Sequence, residues 1–202
     1  MFTHIHPDNY TQQLNDKQKS ISESFAEFNL PNFDIFTSEP LNYRLRAEFR
    51  VWHDGDDLFY IMFNSETKQK FRVDDFPVAS LLINKAMTAL IAEIKDCQIL
   101  RQRLFQVDFL STMSGELLIS LLYHKQLDDE WQQEAQQLKT KLSMIAPTDI
   151  IGRAKKQKII LDKDFVMESL SVGDKSYVYQ QVENSFTQPN GGVNEKMLLW
   201  AQ

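Results

Sequence analysis

From Tyr43 to Trp52 the side chains alternate without a break. Tyr43, Leu45, Ala47, Phe49 and Val51 fall on one side of an extended chain, and Arg44, Arg46, Glu48, Arg50 and Trp52 fall on the other. Successive side chains of a strand point to opposite faces, so this stretch predicts a half-buried strand. Asp54-Gly55 then supplies the turn residues of a hairpin. One face is core. The other carries three guanidinium groups and an indole, which a core does not need. Either the cations face water, with Glu48 pairing to its Arg neighbours, or they form a platform for an anion. A nucleic-acid backbone is the best candidate, because the planar guanidinium fork can donate two parallel hydrogen bonds to phosphate.

The flanking sequence builds a sheet around this strand. Leu58 to Phe63 is apolar on both faces and predicts a central strand. Asn64 to Lys68 makes the next turn, and Lys70-Phe71-Arg72-Val73 completes an antiparallel meander. Upstream, Pro7-Asp8 opens a helix with Asp8 as N-cap, and Tyr10, Leu14, Ile21, Phe25 and Phe28 form a docking stripe. Pro31 ends that region, and a loop runs to Pro40. Downstream, a helix from about Pro77 to Asp96 carries a wide core stripe, from Leu81 to Ile94. Phe105 to Met113 and Leu117 to Lys125 read as strands around the turn Ser114-Gly115-Glu116. Asp128 caps a helix with Trp131, Ala135, Leu138 and Leu142 on its inner face. Ile150 to Leu161 is strand, basic turn, strand, and Tyr177 to Val182 is a last strand. A polar loop then leads to a helix from Asn194 to Gln202, apolar at Met197, Leu198, Leu199 and Trp200. That helix has no C-cap and nothing visible for its apolar face to pack on. The chain is therefore expected to be cut at the threshold of another domain, with the boundary around Gly173 to Asn184.

Composition narrows the function. A net charge of −6 argues against a protein that coats nucleic acid indiscriminately, but leaves room for a local basic patch. Cys97 is the only cysteine, so no intramolecular disulfide and no cysteine-based metal site can form within the chain. A reducing compartment, the cytoplasm, is the expectation. Met1 to Pro7 does not read as a signal peptide, and no apolar run approaches the roughly 20 residues that cross a bilayer. His4 and His6 have chelating spacing but no partner ligands, and Cys97 reads as a buried structural thiol. Glycine-rich phosphate loops, H-E-x-x-H and G-x-S-x-G are absent, and the pairs Asp56-Asp57, Asp74-Asp75 and Asp128-Asp129 sit at turns and caps. Two further stretches bear cations. Tyr123-His124-Lys125 either stacks on bases and touches phosphate or simply meets solvent. Arg153, Lys155, Lys156 and Lys158 form either a nucleic-acid patch or a hairpin tip whose lysines discourage edge aggregation. The residues by themselves reach an α+β sheet protein with cationic strand faces, and no reaction.

Four runs carry a resemblance: Tyr43–Asp57 (YRLRAEFRVWHDGDD), Leu121–Trp131 (LLYHKQLDDEW), Ile151–Lys158 (IGRAKKQK) and Gln181–Asn190 (QVENSFTQPN). In order and spacing they resemble the N-terminal half of the bacterial tRNA (uracil-5-)-methyltransferases, over almost the whole chain. The resemblance implies an α+β fold, an antiparallel sheet flanked by helices, that grips the T arm of tRNA over residues 1–175. Residues 176–202 would open a Rossmann-like domain that binds S-adenosylmethionine and is otherwise missing. The family makes 5-methyluridine at uridine 54 of the T loop. The uridine is flipped out, a cysteine thiolate adds to C6, C5 takes the methyl group and a glutamate removes the C5 proton.

Carried over residue by residue, Gln188 matches the family's cofactor-contacting glutamine. Arg50, Phe105 and His124 match positions that grip the T loop, the arginine by phosphate contact and the rings by stacking or packing. Phe186 would lie near the target base. Arg44, Arg46, Arg153, Lys155, Lys156 and Lys158 are further cations available to the same RNA surface. The nucleophilic cysteine, the base glutamate and the other cofactor residues belong to the missing half. Cys97 does not match the nucleophile, and no catalytic residue or metal ligand is expected in this chain. The glycine-rich methyltransferase loop and the later Asp-Pro-Pro-Arg-type stretch are absent, so the chain as given is expected not to methylate. Related rRNA enzymes often carry a four-cysteine iron–sulfur site, and the single cysteine favours the tRNA branch. The implied partner is the tRNA T arm, not DNA or a membrane, and the full-length enzyme is expected to be a cytoplasmic monomer. A stand-alone RNA-binding module and a protein–protein adaptor remain as alternatives. Close packing of Met197 to Trp200 on the domain would favour the module.

Overall fold

The computed structural model describes residues 5–28 and 31–202. The alternating stretch forms β1 (Arg46–Asp54), with Ala47, Phe49 and Val51 buried and Glu48, Arg50 and Trp52 exposed. Asp54 pairs with Asp57, so Gly55 and Asp56 alone make the turn into β2 (Asp57–Phe63). Gly55 sits at φ +59°, where a side chain would be strained. Together β1, β2 and β3 (Lys70–Val73) form the expected meander. On the free edge of β1 lies β4 (Leu104–Ser111), which turns into β5 (Leu117–Tyr123). Two further strands, β6 (Thr148–Ala154) and β7 (Gln157–Ile160), complete a seven-stranded sheet of order β3-β2-β1-β4-β5-β6-β7.

One neighbouring pair departs from the antiparallel expectation: β5 and β6 run parallel. Parallel neighbours need a crossover, and α4 (Asp129–Leu142) provides it. That helix, with α2 (Leu81–Ile94) and the short α3 (Gln98–Arg101), covers one face of the sheet. Asp128 Oδ1 caps α4 by accepting from Trp131 N at 2.9 Å, and Ser80 Oγ caps α2 by accepting from Ile83 N at 3.1 Å. Ile83, Met87, Leu90, Ile94, Trp131 and Leu138 meet Phe49, Tyr60, Val107, Phe109 and Ile119 in one core. Each such side chain is worth about 1.5–3 kcal/mol of burial. Trp131 sits so close to β6 that a Cβ on Gly152 would fall 2.3 Å from its ring.

A second sheet consists of β8 (Phe165–Val172) and β9 (Lys175–Val182), paired along their whole length. Sequence reading missed β8, because its inward positions are Val166, Glu168, Leu170 and Val172, and a carboxylate interrupts the apolar period. Glu168 is fully buried yet well supplied with donors. It accepts from Met113 N at 3.0 Å, Ser169 N at 2.9 Å and Gln181 Nε2 at 3.3 Å. Burial raises its carboxyl above the ordinary value, against the pull of the backbone donors.

The last helix, α5 (Gly191–Trp200), is capped by Asn190 Oδ1, which accepts from Val193 N at 3.0 Å. It does find something to pack on, since it lies against β8, where Glu195 Oε1 accepts from Ser171 N at 2.6 Å. Even so, Met197, Leu198, Leu199 and Trp200 stay 40–66% exposed. At the other end, α1 (Tyr10–Ser24) follows a tight turn, Pro7–Asn9, that contains Asp8. Asp8 is therefore not the N-cap, and no side chain caps the helix. Of its stripe, Tyr10 and Leu14 are half-buried, with the Tyr10 hydroxyl accepting from Ser38 N at 2.7 Å, whereas Ile21, Phe25 and Phe28 are exposed and both phenylalanines lie beyond its last turn. Cys97 is half-buried rather than buried, with Sγ 3.8 Å from Glu134 Oε2.

Candidate nucleic-acid interface

Directly opposed residues on neighbouring strands share a face. Arg46, Glu48 and Arg50 of β1 stand opposite Leu110, Asp108 and Gln106 of β4. Those stand opposite Leu118, Ser120 and Leu122 of β5, and these in turn oppose Asp149, Ile151 and Arg153 of β6. Lys158 of β7 closes the row opposite Arg153. Toward the other edge, Arg50 aligns with Ile61 and then Arg72, and Trp52 with Phe59. Cations from segments far apart in sequence thus reach the one sheet face that the helices leave uncovered.

The hairpin β8–β9 covers part of this face. Val166 joins Leu110, Leu118 and Ile151 in a second small core. Just past β9, Glu183 accepts from Ser120 Oγ at 3.2 Å and from Arg153 Nε at 2.7 Å, and a second Arg153 nitrogen closes a two-pronged pair. Lys158 reaches Asp164 at 2.8 Å and Glu183 at 3.4 Å. Burial works to raise the Glu183 carboxyl, but the Arg153 pair, Lys158 and the Ser120 hydroxyl outweigh it and hold the group below its ordinary value. Arg153 and Lys158 are on the expected face but already neutralised. Lys155 and Lys156 occupy the exposed β6–β7 turn, without an ion pair among the described residues.

The uncovered part holds a cluster of two rings and a cation. Phe105 and His124 stack with centroids 3.9 Å apart and planes 9° from parallel. The Arg50 guanidinium lies 5.4 Å from the Phe105 centroid, with no ion pair or side-chain hydrogen bond among the described residues. A β-bulge makes this possible. The register shifts between Leu104 and Gln106, leaving Phe105 as the extra residue. Strict alternation with Val107 and Phe109 would send Phe105 into the core, whereas the bulge sends it out beside Gln106.

Along β1 from Arg50, four residues or about 14 Å away, Arg46 marks the other end of the strip. It pairs with Glu48 at 3.0 Å and donates to Ser185 O at 2.9 Å. Arg44 is half-buried and turns back onto the chain, with Nε donating to Arg46 O at 2.8 Å. Ser185 belongs to the loop that carries Phe186 and Gln188. Phe186 is 83% exposed, and both residues line a cleft of about 820 Å³ with Tyr177, Tyr179 and Leu198. Gln181 Oε1 and Thr187 Oγ1, in the same lining, are buried without a hydrogen-bond partner among the described residues. The structure therefore makes two clusters, Arg50–Phe105–His124 and Phe186–Gln188, with Arg46 on the strand of the first and bonded to the loop of the second.

Sequence reasoning missed the Glu183 clamp and the contact of Lys70 with Trp52, whose Nζ lies 3.0 Å from the ring centroid. Both depend on strand register, although the alternation of β1 and β3 already put Trp52 and Lys70 at outward positions. The paired aspartates have local roles: Asp57 and Asp74 hold Arg72, and Asp128 is a cap. His4 lies outside the described residues, and among those described no cluster of three His, Cys, Asp or Glu could hold a metal. None of the described helices is long and apolar enough to cross a membrane.

Comparison with known proteins adds a family. Residues 9–202 match the family model described as tRNA (Uracil-5-)-methyltransferase. A tRNA/tmRNA (uracil-C(5))-methyltransferase of Colwellia psychrerythraea is 73% identical over all 202 residues, which cover 56% of that relative. Relatives of the same name from Shewanella baltica and Vibrio parahaemolyticus are 59% and 57% identical over 96% and 98% of this chain, and 53% and 54% of their own. The chain spans about half the length of the curated relatives it matches.

Proposed function

Since the chain belongs to the tRNA (uracil-5-)-methyltransferase family, we propose that its open sheet face is the tRNA-binding surface of an enzyme that forms 5-methyluridine at uridine 54 of the T loop, in the cytoplasm. The observation that carries this reading is the Phe105–His124 stack beside Arg50. Bases stack on aromatic rings for about 1–3 kcal/mol each, and an arginine without a carboxylate partner is available to phosphate. Arg50, Phe105 and His124 hold the loop. Arg46 lies between them and Phe186, which stands near the target base. Lys155 and Lys156 reach the backbone farther out, while Arg153, Lys158 and Arg44 chiefly hold the fold.

In the same reading residues 1–175 bind the T arm and 176–202 begin the methyltransferase part. The two parts meet across the β8–β9 hairpin. S-adenosylmethionine would supply the methyl group. The residues present fit one side of such a site: Gln188 lines the cleft, and the Gln181 Oε1 acceptor and the Thr187 hydroxyl are without partners among the described residues. Gln188 would hold the cofactor there, and Phe186 would shield it from water. Because the nucleophile and base are not assigned to this chain, it is expected to bind RNA without turnover, and the full-length enzyme is expected to be a monomer.

Filter binding of a T-arm RNA hairpin, against duplex DNA of equal length, tests the reading. RNA is expected to be preferred. Arg50→Ala should weaken binding and lower the slope of log affinity against log salt by about one. Unchanged affinity and slope would remove Arg50 from the surface. Methyl transfer from labelled S-adenosylmethionine by this chain would overturn the assignment of the chemistry elsewhere.

A further inference from the structure

The cationic and aromatic surface continues past Phe105. Two residues beyond Arg50 along β1, about 7 Å away, Trp52 is 39% exposed and carries the Lys70 ammonium 3.0 Å from its ring centroid. Phe59 stands opposite Trp52 on β2, with the Arg72 guanidinium 4.5 Å from its ring. The two cations differ in one decisive respect. Arg72 is neutralised by Asp57 at 2.8 Å and Asp74 at 2.6 Å. Lys70 has no carboxylate partner among the described residues, although the chain as a whole is acidic. Lysine at a sheet edge discourages edge pairing, which accounts for a charge on β3. It does not account for an indole left half in water beneath that charge.

A partly exposed indole with the Lys70 ammonium over one face, and that ammonium without a carboxylate partner among the described residues, offer a single-stranded nucleotide a ring to stack on and a charge for its phosphate. We propose that Trp52 and Lys70 form a second nucleotide step, taking a single-stranded ribonucleotide next to the one held at Phe105 and His124. This rests on the reading that the open face binds RNA. β3 lies two strands from β1, about 10 Å, so the RNA backbone crosses the sheet from Arg50 toward Lys70.

The chain carries its own reporter. Trp131 is fully buried, so Trp200→Phe leaves Trp52 as the one exposed indole among the described residues. A T-arm RNA hairpin titrated into that variant should quench tryptophan emission in step with filter binding. Trp52→Ala and Lys70→Ala should each weaken binding about 5- to 50-fold, and Trp52→Phe should restore most of the loss. If the RNA binds on filters while emission stays constant and Trp52→Ala binds like the parent, the second step is wrong and the RNA face stands. If the parent itself retains no RNA on filters, the underlying reading falls with it. Folding of each variant is checked by its thermal melt, since Trp52 and Lys70 lie outside the core.

Discussion

Asp108 lies in the middle of the open face, opposite Glu48 on one side and Ser120 on the other. Burial is the main influence on its carboxyl, which is raised from 3.8 to about 6. The hydrogen bond from Gln106 at 2.7 Å and the charge of Arg46 pull it down, while Glu48 and Glu183 push it up. A carboxyl raised in the folded state binds its proton more tightly there than in the unfolded chain. Its favourable contribution is therefore complete below pH 3.8 and is lost as pH rises from there to about 6, above which the fold holds a charge it disfavours. Two units at about 1.36 kcal/mol each set a ceiling near 3 kcal/mol, and partial exposure brings that to about 1–2 kcal/mol. Asp108→Asn keeps an acceptor for Gln106 and removes the charge. Urea unfolding near pH 8 should show the variant about 1–2 kcal/mol more stable than the parent, with the gap closing near pH 4. A gap of equal size at both pH values, or a variant weaker at pH 8, would refute this account of the face.

Gly152→Ala places a Cβ 2.3 Å from the Trp131 ring and 2.6 Å from Leu127, both buried, and overpacking of this kind costs about 1–3 kcal/mol. A thermal melt should show Tm lower by about 3–10 °C, and an unchanged Tm would mean that α4 can shift freely. Glu183→Gln removes the carboxylate that neutralises Arg153 and Lys158, so stability should fall by about 1–3 kcal/mol at neutral pH. Because the Glu183 carboxyl is held low, that loss should fade as pH drops through its folded value, and the salt dependence of RNA binding should steepen as Arg153 is released, while Lys158 keeps Asp164 at 2.8 Å. An unchanged salt slope would place Arg153 away from the RNA.

Much of the sheet was legible because burial imposed a period. Alternation alone assigns the two faces of β1 from Arg46 to Trp52, although the strand begins three residues after the alternation does, and the Asp128 cap and the Leu81–Ile94 stripe place two helices. What escaped the sequence had a physical reason in each case. β8 was hidden by Glu168, whose burial is made possible by backbone donors at Met113 and Ser114 of a distant turn and at the adjacent Ser169. The parallel pairing of β5 and β6 follows from a crossover that local sequence does not encode. For the candidate site, periodicity named Arg50 and Trp52, the residue types at one strand end offered His124 as an alternative to a solvated end, and family resemblance added Phe105 and Gln188. Neither could show that Glu183 neutralises the Arg153 patch, because that contact joins segments through the tertiary fold.

The bulge at Phe105 makes the two sides of β4 independently adjustable. In an uninterrupted strand, adding one residue exchanges every inward and outward position, so a change on the binding side is a change in the core. Here the extra residue sits at the very start of the strand, with only Leu104 before it. The parity of Gln106 to Ser111 is untouched, and Val107 and Phe109 keep their places in the interior. An aromatic ring has thus been added to the outer surface without subtracting one from the inner. Substitutions at position 105 can retune what the surface grips while the hydrophobic interior continues to specify the same fold.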